Sequence, residues 1–256
     1  MRRTLVAATA VAVAAIAAAV AVTLTAGSGR PSTPGPAWPN SANPSEAAGP
    51  VTLRFGFVTD ASQAPALVGL QEGAFASALR GSGIELRPVP FRTNAAEATA
   101  LASGQLDAAY ASASSILTDL ASPSGPRVAV VSGASAGSSP VNLIVTRAFL
   151  SAHSEGVLDL VKGQVQVNDF INHNLLGSAT AYSAELTALT GQRLTASAAG
   201  MSLAQTRFTD DPVAASLAAM ARGSQSPAVR AALPTLYDIA PLDLLLRMEG
   251  ERPITL

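Results

Sequence analysis

The chain has 256 residues, enough for one medium domain or two small lobes, and its 48% hydrophobic content excludes intrinsic disorder. Its 16 Lys and Arg residues nearly balance its 17 Asp and Glu residues. This balance argues against a nucleic-acid-binding protein, which needs clustered positive charge. Cysteine is absent and only two histidines occur, so disulfides and thiolate metal sites are excluded and a histidine-based metal site has little support.

The N-terminal residues have the layout of an export signal. Met1–Arg3 is basic, and the uncharged, Ala- and Val-rich stretch Leu5–Leu24 precedes small residues. This pattern predicts a signal peptide at 1–26, with an uncleaved membrane anchor as the alternative because the stretch is long enough to span a bilayer. Residues 27–50, rich in Pro, Gly and Ser, predict an extended linker. We therefore expect an exported protein in the periplasm or at the outer face of the cytoplasmic membrane, and without cysteine it cannot be lipidated there.

From Val51 onward, strand and helix patterns alternate. Apolar runs and apolar–polar alternation predict strands at 51–58, 84–91, 106–110, 127–131 and 141–145. Helices are predicted at 65–80, with a break near Gly73, at 94–104, opened by capping-box spacing from Asn94 to Glu97, and at 112–120. The prolines Pro88 and Pro90 suit only an edge strand. The alternation predicts an α/β lobe with a mostly parallel sheet over 51–140.

The pattern after Arg147 is helical only, so residues 141–256 are predicted to be one strand followed by helices that pack on the lobe. Asp211 and Pro212 have the pattern of an N-cap followed by a proline in the first turn. Apolar residues recur at helical spacing in three sets: Leu158, Val161 and Val165; Tyr182, Leu186 and Leu189; and Val213, Leu217 and Met220.

No catalytic constellation is present in the sequence. Serine is abundant, but no Gly-x-Ser-x-Gly motif and no phosphate-binding loop with lysine occurs. His153 is best explained as a solvated or capping residue, and His173 as the end of a helix, where a cation suits the dipole. The pair Asp210 and Asp211 is better explained by capping than by acid–base chemistry. We therefore predict no enzyme activity, no catalytic residue, no metal and no cofactor.

Three loops rich in small hydroxyl residues follow predicted parallel strands, at Thr59–Gln63, Ala111–Ser115 and Ser132–Ser139. In open α/β sheets, ligands bind beyond the carboxyl ends of the strands. The first two loops lead into helix N-termini, which favour an anion. Each loop alone is weak evidence because serine and glycine fill ordinary loops and caps. Together the loops predict a small-anion site at one edge of the sheet.

Five short segments then occur in a characteristic order: Phe55–Phe57, Ala64–Leu67, Gln71–Phe75, Ala100–Tyr110 and Val130–Ala134. They resemble the first lobe of the extracytoplasmic substrate-binding proteins of nitrate/sulfonate/taurine ABC importers. The most specific segment is Ala100–Tyr110, which has the family's Leu-x-x-Gly-x-x-Asp pattern. The C-terminal segments 143–150, 168–172, 208–217 and 236–242 are similar to the family's strand and helix that return from the second lobe and to its closing motifs.

The chain departs from the family between Ser135 and Val141, where the last strand of the first lobe passes directly to the returning strand. The family's second-lobe strand, its Gly-Ser/Thr loop and its second Gly-x-x-Asp-Ala element are missing. The resemblance therefore implies an α/β fold: a type II periplasmic-binding-protein-like lobe with a mostly parallel sheet, C-terminal helices and a largely absent second lobe. In the intact family, the two lobes close on the ligand by a hinge motion.

The resemblance implies a solute-binding component that captures a small anion (sulfonate, taurine or nitrate) for an ABC permease and its ATPase. A truncated, non-transporting paralogue that serves as a surface interaction module is the alternative, and an enzyme of the related pyrimidine-synthesising group is a weaker one. Tyr110 is as well explained by packing as by ligand contact. The positions that the resemblance turns toward a ligand are Thr59, Asp60, Ser62, Gln63, Ala64, Tyr110, Ser112, Ser114, Ser135 and Ser138.

Overall fold

The computed structural model of the protein describes residues 50–122, 127–137, 139–224 and 226–256. The predicted signal peptide at 1–26 and nearly all of the predicted linker at 27–50 lie outside these residues, as does the candidate site residue Ser138. Within the described residues, no helix combines the length and apolar character needed to cross a membrane.

The described strands form one six-stranded sheet with the order β2-β1-β3-β5-β4-β6. Their bounds are Val51–Val58 (β1), Ile84–Phe91 (β2), Ala108–Ser112 (β3), Val128–Ala136 (β4), Val141–Thr146 (β5) and Arg207–Phe208 (β6). Strand β1 pairs in parallel with β2 and β3, whereas β5 is antiparallel to both β3 and β4. Strand β4 therefore runs in the same direction as β1 and β3. Because every strand in the described ranges belongs to this sheet, these residues contain a single α/β lobe.

Alternation along the strands builds an apolar core on each face of the sheet. On β1, Phe55 and Phe57 join the larger core together with Tyr110 of β3, while the neighbouring Ala109 and Ala111 of β3 belong to the smaller core on the other face. Strand β2 lies at the sheet edge, as its prolines predict.

Helices cover both faces of the sheet. Their bounds are Ala64–Gln71 (α1), Ala74–Leu79 (α2), Asn94–Ala102 (α3), Ala113–Leu120 (α4), Arg147–Ala152 (α5), Ser154–His173 (α6), Leu175–Thr190 (α7), Ala196–Ala204 (α8), Ala214–Gly223 (α9), Pro227–Ala232 (α10) and Ala240–Met248 (α11). The larger core includes residues of α1, α2, α6, α7, α8 and α11, and the smaller one residues of α3, α4, α9 and α10. The predicted break between α1 and α2 occurs at Gly73, whose φ of 68° favours glycine.

Several predicted boundaries need correction. Helix α3 is capped by Thr93, whose Oγ1 accepts a hydrogen bond from the backbone N–H of Ala96, so Asn94 is the first helical residue and the predicted capping box does not form. The third strand was predicted at 106–110, but β3 runs from Ala108 to Ser112. The Ser112 side chain caps α4. Strand β4 continues five residues beyond the predicted end at Val131, to Ala136.

The C-terminal region is not purely helical, because β6 pairs with β4 through Ser135↔Phe208 and Ala136↔Arg207. The predicted cap at Asp211 is also wrong. Helix α9 begins only at Ala214, and Asp211 Oδ1 accepts a hydrogen bond from the N–H of Val213 at 2.8 Å within the preceding turn. Val213 itself has a left-handed backbone with a φ of 50°.

Candidate functional site

A cleft of about 340 Å³ lies at the edge of the sheet where β1, β3 and β4 end. Since these strands run in the same direction, the loops that follow them meet at this edge. Three predicted site residues, one from each loop, line the cleft: Ser62, Ser112 and Ser135. The described residues that line it carry no charged side chain.

The loop after β1 is organised by Asp60. Its Oδ1 accepts hydrogen bonds from the backbone N–H groups of Ser62 and Gln63, at 2.9 and 3.2 Å, and from the Ser62 hydroxyl at 2.6 Å. These bonds cap a short 3-10 helix at Ala61–Gln63. Asp60 thus holds Ser62 in place, and neither Asp60 nor Thr59 is among the residues that line the cleft.

Gln63 is fully buried and connects β1 to α3. Its Oε1 accepts a hydrogen bond from the N–H of Val58 at 2.7 Å, and its Nε2 donates to Asn94 Oδ1 at 3.3 Å. Asn94 in turn lines the cleft. Gln63, predicted to contact the ligand, therefore acts on the cleft only indirectly, by orienting Asn94. Ala64, which was also predicted as a ligand contact, is buried in the core.

Glu97, one turn after Asn94 on α3, is a buried carboxyl group with 1% of its surface exposed. Burial raises the pKa of Glu97 to about 8, the side-chain amide of Gln63 opposes this rise, and the negative charge of Asp60 adds to it. Ionisation of Glu97 therefore takes place on α3, beside the Gln63 and Asp60 side chains that organise one wall of the cleft.

Ser112 links the end of β3 to α4. Its Oγ accepts a hydrogen bond from the N–H of Ser115 at 3.3 Å and lies 2.9 and 3.0 Å from the hydroxyls of Ser114 and Ser115. The predicted site residue Ser114 is exposed and does not line the cleft. Of the residues predicted from this loop, Ser112 is therefore the one that lines the cleft.

Ser135 joins the end of β4 to the loop after β1. Its hydroxyl donates to the carbonyl oxygen of Ser62 at 2.8 Å, and both residues line the cleft. Two loops more than seventy residues apart in the chain are thereby tied together at one wall.

Tyr110 lies in the core, not in the cleft. It is fully buried, its ring packs edge-on against Phe55 with 5.1 Å between centroids, and its hydroxyl donates to Gln164 Oε1 on α6. Of the two explanations for Tyr110, core packing is therefore the one that the structure supports. A ligand in the cleft cannot contact Tyr110, because none of its surface is exposed.

Four polar residues that line the cleft were not predicted as ligand contacts: Asn94, Ser139, Gln205 and Thr206. Ser139 belongs to the predicted third loop, and Asn94 was interpreted only as a helix cap. Gln205 and Thr206 follow α8 and reach the cleft because α8 packs beside the 3-10 helix. No strand end precedes them, so no local pattern marks them as site residues.

His173 ends α6, as expected, whereas His153 lies between α5 and α6 and its side chain makes no capping hydrogen bond. The His153 ring packs against Phe149 with 4.7 Å between centroids, and His173 Nδ1 lies 2.9 Å from the carboxylate of Asp169. The described ranges contain no group of three or more His, Cys, Asp or Glu side chains that could hold a metal ion.

Comparison with known proteins connects this architecture to a fold. No protein-family model matches the chain, and no curated protein matches its sequence. Among solved structures, a Candida albicans gene product described as having the generic periplasmic binding protein structural fold matches with a TM-score of 0.55 and 10% identity, over 73% of this chain and 96% of that one. This chain has the periplasmic binding protein fold.

Two further structures with this likeness are binding proteins. The nitrate-binding protein NrtA of Synechocystis PCC 6803 matches with a TM-score of 0.57 and 8% identity, over 77% of this chain and 89% of that one. The alkanesulfonate-binding protein SsuA of Xanthomonas axonopodis pv. citri, bound to MOPS, matches with a TM-score of 0.54 and 12% identity, over 75% and 96%. The predicted likeness to nitrate- and sulfonate-binding proteins and the predicted α/β fold class are confirmed. The sheet is mixed and not mostly parallel in its pairing, because β5 is antiparallel to β3 and β4, and β6 is antiparallel to β4. At these identities the likeness concerns the fold and not the ligand.

Proposed function

We propose that this periplasmic-binding-protein fold serves as the exported solute-binding component of an ABC uptake system, delivering a small molecule to a permease and its ATPase. The observation that carries the proposal is the cleft where the loops after β1, β3 and β4 converge with the end of α8. Ligand sites of open α/β sheets lie at this edge. Binding, not catalysis, suits a cleft lined by hydroxyl and amide groups.

The ligand class that the likeness suggests is a small anion of the sulfonate, taurine or nitrate type. Neutral donors and the N-terminus of α4, capped by Ser112, are the groups available to such an anion. A single lobe offers an open surface on which polar contacts compete with water, so we expect weaker binding than between two closing lobes.

A second candidate function is a surface interaction module. Two large apolar side chains on the neighbouring helices α7 and α8 favour it, since Leu176 is 76% and Met201 61% exposed. Contact surfaces for other proteins are built from exposed apolar groups. In this alternative the chain has an ordered lobe but no solute to bind.

The two candidates are distinguished by ligand-induced stabilisation of the full chain. We expect thermal unfolding with nitrate, ethanesulfonate, isethionate, taurine, glycine, ethanolamine or erythritol to show a saturable rise of the midpoint with at least one compound, because a ligand that binds only the folded state stabilises it. A cooperative transition that no compound moves favours the interaction module.

A blocking variant assigns any observed binding to this cleft. Gly137 lines the cleft and has open space where a side chain would begin, so Gly137→Trp fills the cleft without a clash at Cβ. The matched control is Gly81→Trp, at an exposed glycine that also has open space. Binding should disappear in the first variant and persist in the second, and equal binding by both would place the ligand elsewhere.

A further inference from the structure

The direction of the hydrogen bonds around the cleft narrows the class of its ligand. This step rests on the proposed function, since it concerns what the same cleft would bind. A serine or threonine hydroxyl has one proton and two lone pairs. A hydroxyl that donates its proton to a protein acceptor therefore offers only lone pairs to a ligand.

Three hydroxyls of the cleft have their protons committed inside the protein. Ser62 donates to the Asp60 carboxylate at 2.6 Å, and Ser135 donates to the carbonyl oxygen of Ser62 at 2.8 Å. Thr206 donates to the carbonyl oxygen of Ser202, one turn earlier, at 3.3 Å. Neither a carboxylate nor a carbonyl can donate, so these directions are unambiguous. A ligand that reaches any of these three oxygens therefore meets a hydrogen-bond acceptor.

One amide of the cleft has a fixed direction as well. The backbone N–H of Val58 can only donate, so the Gln63 atom that it contacts at 2.7 Å must be Oε1. Gln63 Nε2 therefore points to Asn94, whose Oδ1 is the atom that accepts at 3.3 Å. The Nδ2 group of Asn94 remains as an oriented donor on the wall of the cleft.

The charges around the cleft agree with this polarity. The residues that line it, as far as the structure describes them, include no lysine, arginine or histidine. The Asp60 carboxylate lies directly behind Ser62. An anion without hydrogen-bond donors would thus meet these lone pairs and a nearby negative charge. The Asn94 amide and the N-terminus of α4 would favour the anion, but the described lining residues include no cationic side chain to offset the negative charge.

We propose that the cleft binds a small solute whose polar groups are mainly N–H or O–H donors, such as an amine, a zwitterion or a polyol. The donors of the ligand satisfy Ser62, Ser135 and Thr206, and one acceptor group of the ligand meets Asn94. Anions without donors, such as nitrate and simple alkanesulfonates, do not match this arrangement.

Matched compounds test the proposal by calorimetry on the full chain. Ethanesulfonate, isethionate and taurine share a sulfonate on a two-carbon chain. The second carbon carries only hydrogen in ethanesulfonate, a hydroxyl in isethionate and an ammonium group in taurine. Glycine betaine and glycine differ in the N–H groups of the ammonium, and ethanolamine and erythritol carry donors without an anionic group. We expect at least one donor-bearing compound to bind at least tenfold more tightly than ethanesulfonate, nitrate and glycine betaine.

The outcomes separate this inference from the proposed function. Saturable binding of nitrate or ethanesulfonate as tight as that of every donor-bearing compound overturns the inference and leaves the solute-binding function standing. Binding of none of the compounds overturns both.

A threonine variant tests the acceptor role directly. Thr206→Val keeps the shape of the side chain and removes the oxygen, and we expect about a fivefold loss of affinity for the donor-bearing ligand. Thr180→Val on α7 is the matched control, because the Thr180 hydroxyl makes the same bond one turn back, to the carbonyl of Leu176 at 2.9 Å, away from the cleft. Unchanged or tighter binding by Thr206→Val overturns the proposal.

Discussion

Asp107 accepts three hydrogen bonds from Arg54. The backbone N–H and Nε of Arg54 donate to Oδ2 at 2.9 and 2.8 Å, and its Nη2 donates to Oδ1 at 2.7 Å. The backbone N–H of Asp107 donates back to the carbonyl of Arg54 at 2.9 Å. These bonds lie just before the parallel pairing Phe55↔Ala108, so they fix the register of β3 on β1. This geometry gives a physical reason for an aspartate at this position of the Ala100–Tyr110 segment.

Replacing the Asp107 carboxylate should weaken the pairing of β1 with β3. We expect Asp107→Asn to lower the free energy of unfolding by about 1–3 kcal/mol, because an amide NH2 in place of one carboxylate oxygen cannot accept from Arg54, and the negative charge opposite the guanidinium is lost. The control is Asp169→Asn, which alters a highly exposed contact with His173 and should cost about 0.5 kcal/mol or less. Urea unfolding of both variants measures the difference, and equal losses would contradict the assigned role.

Because Tyr110 is buried in the core, a substitution there should change the stability of the protein but not its affinity for a ligand. We expect Tyr110→Phe to lower the free energy of unfolding by about 1–3 kcal/mol, since Gln164 Oε1 loses its partner in the core. Ligand affinity should stay within twofold of the wild type. A large loss of affinity with unchanged stability would instead identify Tyr110 as a ligand contact. Thermal unfolding and calorimetry on the same preparation give both readouts.

Gly133 on β4 is packed against a backbone segment that a methyl group would strike. A Cβ at this position would lie 2.3 Å from the carbonyl oxygen of Asp211 and 2.6 Å from that of Thr209. We expect Gly133→Ala to cost about 3 kcal/mol or more, because backbone atoms cannot move aside as a flexible side chain can. Gly137→Ala, with open space around its Cβ, is the control and should change stability by about 0.5 kcal/mol or less. Similar midpoints for the two variants would contradict this packing.

The sheet was largely predictable because its strands are specified by local alternation. Strands β1 and β2 have the predicted bounds, Val51–Val58 and Ile84–Phe91. The two residues of β6 are too few for a periodic pattern. At Asp211 and Pro212 tertiary contacts prevailed over local preference. The N–H of Gly133 donates to the carbonyl of Asp210 at 2.7 Å and holds this segment against β4, so α9 starts later.

The candidate site was predictable only where strand direction determines it. Ser62 follows β1, and Ser112 and Ser135 lie at the ends of β3 and β4, which run in the same direction as β1, so the three residues meet at the predicted edge. Thr206 reaches the same cleft through the packing of α8, a tertiary contact that no local pattern encodes. Tyr110 was assigned to both the core and the site, although its alternation with Ala109 and Ala111 places it on the face of Phe55.

Glu97 should make stability depend on pH. The folded state holds its pKa at about 8 against an ordinary value of 4.5, so the folded chain favours the protonated form. The resulting stabilisation is fully present below about pH 4.5 and is lost as the pH rises toward 8, where the unfolded chain is already ionised.

We therefore expect Glu97→Gln, which is neutral at every pH, to match the wild type near pH 4.5 and to exceed its free energy of unfolding by roughly 3–5 kcal/mol at pH 9. Urea unfolding between these pH values measures the difference between the two proteins, and this comparison removes the slope that the half-buried Asp210, with a pKa of about 7, contributes to both. The matched control Glu72→Gln, at the exposed end of α1, leaves Glu97 in place and should retain the wild-type slope. A constant difference between Glu97→Gln and the wild type across this range would show that Glu97 does not titrate in the folded chain as proposed.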